Sequence, residues 1–174
     1  MQHLPPHAPP LANAVAAGFT GIIVTAVAWM TAAPFIVPPL GATIFLCFVA
    51  PRAATSSPRH VLLGHLIGIS CGWAALYVTG ALGQPSAMAG GCQPCHVLAI
   101  GLALLGTIYL TQVLHAGHPP AGAMTVLVAL GLVQTPLQFL AAEGGAAIIV
   151  FCAWLLHARR GDVGYPRWRH ADPN

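Results

Sequence analysis

The sequence Gly117-His-Pro-Pro-Ala-Gly-Ala-Met124 interrupts an otherwise apolar part of the chain, and a similar sequence, Pro38-Pro-Leu-Gly-Ala-Thr43, lies 81 residues before it. A proline has no backbone N–H and cannot continue a helix, but it is favoured at the first position of a new one. Each double proline therefore predicts an extended break followed by a short helix, at Leu40–Ala50 and at Ala121–Val133.

The composition around these breaks is that of a membrane protein. Of the 174 residues, 57% are hydrophobic and 5% are charged, whereas a soluble domain has about 25% charged residues. No formal charge occurs between His60 and Ala142. The six basic residues are all arginines that lie beside apolar stretches, which is typical of topology signals and excludes a nucleic-acid partner.

Four apolar stretches are long enough to cross the bilayer, while the two stretches after the double prolines are too short to do so unaided. We therefore predict an all-α integral membrane protein with four long spans and two short or re-entrant helices. The long spans are expected at Asn13–Ala33, Val61–Leu82, His96–Leu114 and Glu143–His157, which makes Glu143 an acid at a helix N-terminus.

The chain matches itself at a spacing of 81 residues, which indicates an internal duplication. Repeat one is predicted at 13–82 and repeat two at 94–158 of a single membrane domain, 13–158, with tails at 1–12 and 159–174. Three passages per repeat would place the two copies in opposite orientations. The matching residues are Pro38, Pro39, Gly41, Ala42, Gly64, Ile67, Cys71 and Trp73 with Pro119, Pro120, Gly122, Ala123, Gly145, Ile148, Cys152 and Trp154.

The arginines favour six membrane passages. With six, Arg52, Arg59 and the four arginines of the C-terminal tail lie on one side, which is the cytoplasmic side by the positive-inside rule, and both termini are cytoplasmic. If both short helices returned to their own side, only four passages would remain. The charge bias favours the first arrangement and leaves the second open.

The starts of the two short helices are candidate sites for an anion. A helix N-terminus carries about half a positive charge, and N–H groups without intrahelical partners must be buried in protein or line a polar cavity. Pro-kinked helices that merely pack closely are the alternative. The residues predicted to surround the anion are Pro39, Gly41, Ala42 and Thr43 in repeat one, and Pro119, Pro120, Gly122 and Ala123 in repeat two.

Three histidines extend this candidate site. His118 directly precedes the second double proline, where it could cap the helix or donate a hydrogen bond to a bound oxyanion. His115 lies three residues earlier and could be structural. His65 lies in the second long span, where an ionisable side chain indicates function unless it lies at headgroup level.

The sequence Cys92-Gln-Pro-Cys95-His96 matches the attachment signature of c-type haem. Haem at Cys92, Cys95 and His96, a disulfide and a free thiol pair all remain open, and a redox or electron-transfer subunit is the competing class of function. We expect no cofactor and no metal. The chain has no nucleophile elbow, phosphate loop or zincin motif, so we expect no enzymatic activity.

The sequence His118-Pro119-Pro120-Ala-Gly-Ala resembles the signature of the HPP family of small membrane proteins, and the likeness extends from about Pro38 to Trp154. The family is usually described with four spanning helices, and its chloroplast members are nitrite transporters. The resemblance therefore implies transport of a small monovalent anion such as nitrite, here in a bacterial cytoplasmic (inner) membrane. We expect the anion, the lipid bilayer and a homo-oligomer as partners, and a non-transporting scaffold is the remaining alternative.

Overall fold

A computed structural model describes residues 9–33, 35, 37–159 and 165, and within these residues all regular structure is helical. Four helices are long and apolar enough to cross a membrane, and two apolar helices are shorter. The all-α membrane fold with four long and two short helices is therefore confirmed. The helices are α1 (Pro10–Thr31), α2 (Pro38–Val49), α3 (Pro58–Val78), α4 (Ala87–Gly90), α5 (Pro94–Val113), α6 (Pro119–Ala129) and α7 (Pro136–Arg159), with a 3₁₀ turn at Ala54–Ser56.

Prolines start the long and short helices alike. A proline at the first helical position removes an N–H that would have no intrahelical partner, so it begins a helix at no cost. The prediction that the last span begins at Glu143 is wrong, because Pro136 begins α7. Glu143 therefore lies two turns inside the helix and is not an N-terminal acid. Neither α4 nor the 3₁₀ turn was predicted.

The long helix α3 packs closely on the short helix α6 through Gly64, Gly68 and Gly72. A Cβ atom at Gly68 would lie 2.7 Å from the Ala121 carbonyl oxygen, so only glycine fits there. The contacts advance along both helices together, from Gly64 at Ala121 to Gly72 at Val128. Helices α3 and α6 are therefore parallel.

Helices α7 and α2 repeat this packing, which supports the duplication in three dimensions. A Cβ atom at Gly145 would meet the Phe35 carbonyl and the Leu40 side chain, and at Gly64 it would meet Ala121. Gly145 and Leu40 stand 81 residues from Gly64 and Ala121 respectively. The close glycine contact between a long helix and the start of a short helix is thus present twice.

The two short helices run in opposite directions. His157, at the end of α7, donates a hydrogen bond from Nε2 to the Cys47 carbonyl near the end of α2, so α2 and α7 are parallel. Ser56, just before α3 begins, donates from its hydroxyl to the carbonyls of Leu46 and Ala50 at the end of α2, so the short connection reverses the chain and these helices are antiparallel. Since α6 is parallel to α3, it is antiparallel to α2, as inverted repeats require.

The short helix α6 connects the two ends of the helix bundle. Arg59 donates hydrogen bonds to the carbonyls of Leu114 and His115, so the chain leaves α5 at the end where α3 begins. At the far end of α6 the Leu130 carbonyl accepts a hydrogen bond from the Ala87 N–H, in the connection between α3 and α5. This path is compatible with the six passages that the arginines favour, and Arg52, Arg59 and Arg159 lie at one end of the bundle, hereafter the arginine end.

The two tails lie largely outside the described residues. Helix α1 begins at Pro10, inside the predicted N-terminal tail of 1–12. In the C-terminal tail, 159–174, only Arg159 and Tyr165 are described, and the Tyr165 ring stacks on His157. The predicted positions of Arg160, Arg167 and Arg169 lie outside the described part of the chain.

Candidate functional site

His118 occupies the position immediately before α6 begins. Its backbone is extended, at φ −138° and ψ 102°, because the following proline disfavours helical geometry. Its side chain makes no capping hydrogen bond to its own helix. The Nδ1–H instead donates to the Thr55 carbonyl oxygen in the 3₁₀ turn, with 2.7 Å between the two atoms. His118 is therefore directed away from α6 and toward repeat one.

Thr43 and His65 complete a cluster with His118. The Thr43 hydroxyl oxygen lies 2.8 Å from Nε2 of His65 and 3.0 Å from Nε2 of His118. The two imidazole rings meet edge to face, with 5.0 Å between their centres. Thr43 and His65 are fully buried, and His118 is 4% exposed. We call Thr43, His65 and His118 the polar triad.

The hydrogen bonds of the polar triad fix where its protons lie when both histidines are neutral. A carbonyl oxygen only accepts, so the bond to Thr55 places the His118 proton on Nδ1 and leaves Nε2 as an acceptor. The Thr43 hydroxyl has one proton and two possible acceptors, Nε2 of His118 at 3.0 Å and the Pro39 carbonyl oxygen at 3.3 Å, and the shorter contact assigns the proton to His118. The remaining contact requires His65 to donate from Nε2–H to the Thr43 oxygen.

This assignment leaves Nδ1 of His65 with a lone pair and no proton. The atom is buried and has no hydrogen-bond partner among the described residues. Buried polar atoms in proteins are nearly always paired, because an unpaired one costs about 1–3 kcal/mol. The polar triad thus ends in an unpaired proton acceptor inside the membrane domain.

The helix N-termini themselves offer fewer donors than the sequence suggested. Two of the four N–H groups that lack intrahelical partners at a helix start are absent, because proline occupies both of the first two positions. The next groups, the N–H of Leu40 and of Ala121, donate to the carbonyls of Val37 and His118. The expectation that the N–H groups at these helix starts are free to hold an anion is therefore wrong for Leu40 and Ala121.

Among the other predicted site residues, only Pro39 has a recorded hydrogen-bond contact with the polar triad, through its carbonyl oxygen 3.3 Å from the Thr43 hydroxyl. Pro39 and Pro120 are buried at the helix starts, and Pro119 is exposed. His115 is exposed at a φ of 46°, and its carbonyl accepts from Arg59. The small residues do not line a close contact within the chain: Gly41, Ala42 and Ala123 are exposed, and a Cβ atom at Gly41 or Gly122 would meet nothing within 4 Å.

The cysteine motif lies at the opposite end from the arginines. Cys92 is exposed and Cys95 is half-buried, and both are free thiols. The His96 ring is fully buried, and its Nδ1 accepts a hydrogen bond from the Gln93 N–H at the start of α5. The other ring nitrogen, Nε2, is buried without a partner among the described residues, so a haem iron would reach it only if the ring moved outward. No group of three metal-ligating side chains occurs among the described residues.

A comparison with models of protein families identifies the family of the chain. A family model described as "HPP, transmembrane region" matches residues 5–166. The chain belongs to the HPP family. No curated protein and no solved structure matches it.

Two features of this HPP protein were not found from its sequence. The Thr55 carbonyl completes the polar triad, but a backbone acceptor carries no sequence signal. Glu143 has a buried carboxyl oxygen without a partner among the described residues. Glu143 is the single acidic residue of the predicted membrane domain, which could have indicated a special role. The wrong expectation that α7 begins at Glu143 made it an ordinary helix N-terminal acid instead.

Proposed function

We propose that this HPP protein transports a small monovalent anion, nitrite, through the polar triad across a bacterial cytoplasmic membrane. The observation that carries the proposal is the burial of Thr43, His65 and His118 against one another in a membrane domain. Ionisable side chains within membrane helices are costly and are retained chiefly where they serve function.

The polar triad suits a weakly held anion. The start of α6 carries the positive end of a helix dipole beside His118. The Thr43 hydroxyl and the His65 Nε2–H are donors that could turn toward an oxyanion, and none of these groups carries a fixed charge. Binding by dipoles rather than by a buried arginine would let the ion leave as well as enter, as conduction requires.

The donors in this proposal are side chains, which differs from the mechanism that the sequence suggested. The double prolines remove the N–H groups at the starts of α2 and α6, so Gly41, Ala42, Gly122 and Ala123 are assigned to lipid or to neighbouring subunits. A homo-oligomer is proposed on the same grounds, because these small residues and the Gly18–Gly21 face of α1 are open. The arginine end is assigned to the cytoplasm by the positive-inside rule.

Nitrite entry into proteoliposomes tests the proposal. Purified protein should give nitrite uptake above that of empty vesicles, with nitrate, formate and chloride compared under the same conditions. His118→Ala should lower the flux at least tenfold while the protein still elutes as one folded species. Unchanged nitrite flux in this folded variant would remove His118 from the pathway.

A matched control separates transport from the cysteine motif. The double variant Cys92→Ser/Cys95→Ser should retain the nitrite flux of the unaltered protein, because both cysteines lie far from the polar triad. Flux that disappears in this variant, or a Soret band from protein expressed with haem-maturation machinery, would instead support a redox subunit.

A further inference from the structure

The unpaired Nδ1 atom of His65 distinguishes the polar triad from an ordinary hydrogen-bonded cluster. His65 is fully buried, and this atom has a lone pair that no described residue satisfies. A bare anion cannot satisfy it, because both would be acceptors. A proton, or the O–H of a weak acid, can.

We propose that His65 takes up one proton with each anion, so that the HPP protein carries a weak-acid anion and a proton together. The inference rests on the proposed function and names its coupling ion. In the binding step, the O–H bond of the acid breaks and an N–H bond forms at His65 Nδ1. The N–H group of the imidazolium then donates a hydrogen bond to the anion. Transfer of the proton back to the anion releases the acid.

The hydrogen bonds of the polar triad provide a path by which the positive charge can move. If His65 passes its Nε2 proton to the Thr43 oxygen, the Thr43 hydroxyl can pass its own proton to Nε2 of His118. The charge then lies on His118, whose Nδ1–H points to the Thr55 carbonyl near the arginine end. In this relay Nε2 of His65 loses a proton, the Thr43 oxygen gains one and loses one, and Nε2 of His118 gains one, so the transfer balances without a further reactant.

The titratable groups around His65 are few. His118 of α6 interacts with it directly, and His60, at the start of α3, interacts with His118. Helix α2 contributes the Thr43 hydroxyl, and α7 carries His157, bonded to the Cys47 carbonyl one turn further along α2. Glu143 lies toward the other end of α7, and α5 has no acidic or basic side chain other than His96. The pH dependence of the flux should therefore report the protonation of His65 and, through the relay, of His118.

The substrate class follows from this chemistry. An anion whose conjugate acid is weak, such as nitrite or formate, can exchange a proton with an imidazole. Nitrate and chloride, which are anions of strong acids, have no proton to deliver. We expect nitrite and formate to be carried and nitrate and chloride to be carried at least tenfold more slowly.

If one proton accompanies each anion, transport moves no net charge across the membrane, and this can be measured. In vesicles loaded with a pH-sensitive dye, nitrite entry should acidify the lumen with one proton per nitrite, after subtraction of the nitrous acid that crosses empty vesicles. A potassium diffusion potential set with valinomycin should leave the rate unchanged. The rate should rise as the external pH falls.

His65→Gln tests the residue, and His96→Gln is its matched control. Glutamine can still donate to Thr43 but cannot hold a proton, so nitrite flux at acidic pH should fall at least tenfold and lose its pH dependence. His96 is equally buried and also has an unpaired ring nitrogen, at the opposite end of the chain's fold, and its variant should keep both. Equal behaviour of the two variants would overturn the role of His65.

The outcomes separate this inference from the proposed function. Nitrite flux that is protein-dependent but driven by the potential, without acidification, would overturn proton coupling and leave anion transport standing. The absence of any protein-dependent flux would overturn both. If His65→Gln does not fold, the proton-to-nitrite ratio of the unaltered protein decides alone, and a ratio near zero contradicts the inference.

Discussion

The positions that the duplication makes equivalent to the polar triad are apolar. The residues 81 positions from His118, Thr43 and His65 are Val37, Met124 and Ala146, which are all buried in the hydrophobic core. Both halves keep the glycine contact between a long helix and the start of a short one, at Gly64 and at Gly145. The scaffold is thus present twice, and side chains from both repeats form two equivalent sites, of which one is polar and the other apolar.

The difference shows that the double prolines and glycines are structural devices. They are present in both halves and therefore at both of the equivalent sites, so they cannot account for the polar character of only one of them. They allow a short helix to begin inside the membrane and to pack against a long helix at close range. The chemistry depends on three side chains that the scaffold brings together, and changes to scaffold and site should therefore have separable effects.

The largest expected effect comes from filling the close glycine contacts between a long and a short helix, one in each half of the molecule. Gly68→Ala and Gly145→Ala each place a Cβ atom against a backbone carbonyl, which cannot move aside as a side chain can. Each should destabilise the protein by about 1–3 kcal/mol, measured as thermal unfolding in detergent.

Gly122→Ala is the control for these variants. A Cβ atom there meets nothing within 4 Å, and alanine favours a helix by up to about 1 kcal/mol over glycine. Its unfolding temperature should stay the same or rise. A loss of stability as large as that of Gly68→Ala would mean that the close contacts do not set the packing.

His118→Val gives repeat two the residue that repeat one carries at Val37. It removes the acceptor of the Thr43 hydroxyl and the donor to Thr55, so nitrite flux should fall at least tenfold. The unpaired partners should cost about 1–3 kcal/mol, and the protein should still fold. The flux of reconstituted, folded variant measures the effect, and full flux would show that an apolar residue suffices at this position.

A second polar pair tests whether burial of polar groups alone matters. The hydroxyls of Thr107 and Thr125 lie 2.9 Å apart between α5 and α6, and their counterparts, Ala26 and Ile44, are apolar. Thr125→Val should cost about 1 kcal/mol of stability through the lost hydrogen bond and leave nitrite flux intact. Flux lowered as far as in His118→Val would extend the site to this pair.

The smallest effect is expected at the arginine end. The Arg59 guanidinium donates to the last carbonyls of α5, at Leu114 and His115, where a cation also favours the helix dipole. Arg59→Gln should lower stability by about 0.5–1 kcal/mol, in the same thermal unfolding measurement, without changing flux. A large loss of flux would connect this end of the bundle to the pathway.

Much of the fold was readable from the sequence because its signals are local. The double prolines at Pro38 and Pro119 mark helix starts, and apolar length marks the spans. The last span was expected to begin at Glu143, although Pro136 is the first residue of α7. A proline that separates two apolar stretches is compatible with the end of one helix and with the start of the next, and only packing decides.

The site was readable only in part because it is built by tertiary contacts. Thr43, His65 and His118 were each singled out, yet nothing in the sequence indicates that one hydroxyl bridges two imidazoles that lie 53 residues apart in the chain. The helix N-terminal donors were overestimated, because proline at both first positions removes the groups that the argument required. His115 lies only three residues before His118 in the chain, yet it is exposed whereas His118 is buried.

The most direct test of the central claim compares nitrite flux in Thr43→Val and Met124→Leu, which alter equivalent buried positions in the two halves. Valine keeps the shape of threonine and removes the hydroxyl that joins the histidines, whereas leucine keeps the apolar character of methionine. The account predicts that Thr43→Val falls to the level of empty vesicles and that Met124→Leu retains the flux of the unaltered protein. Equal flux in the two folded variants would contradict it.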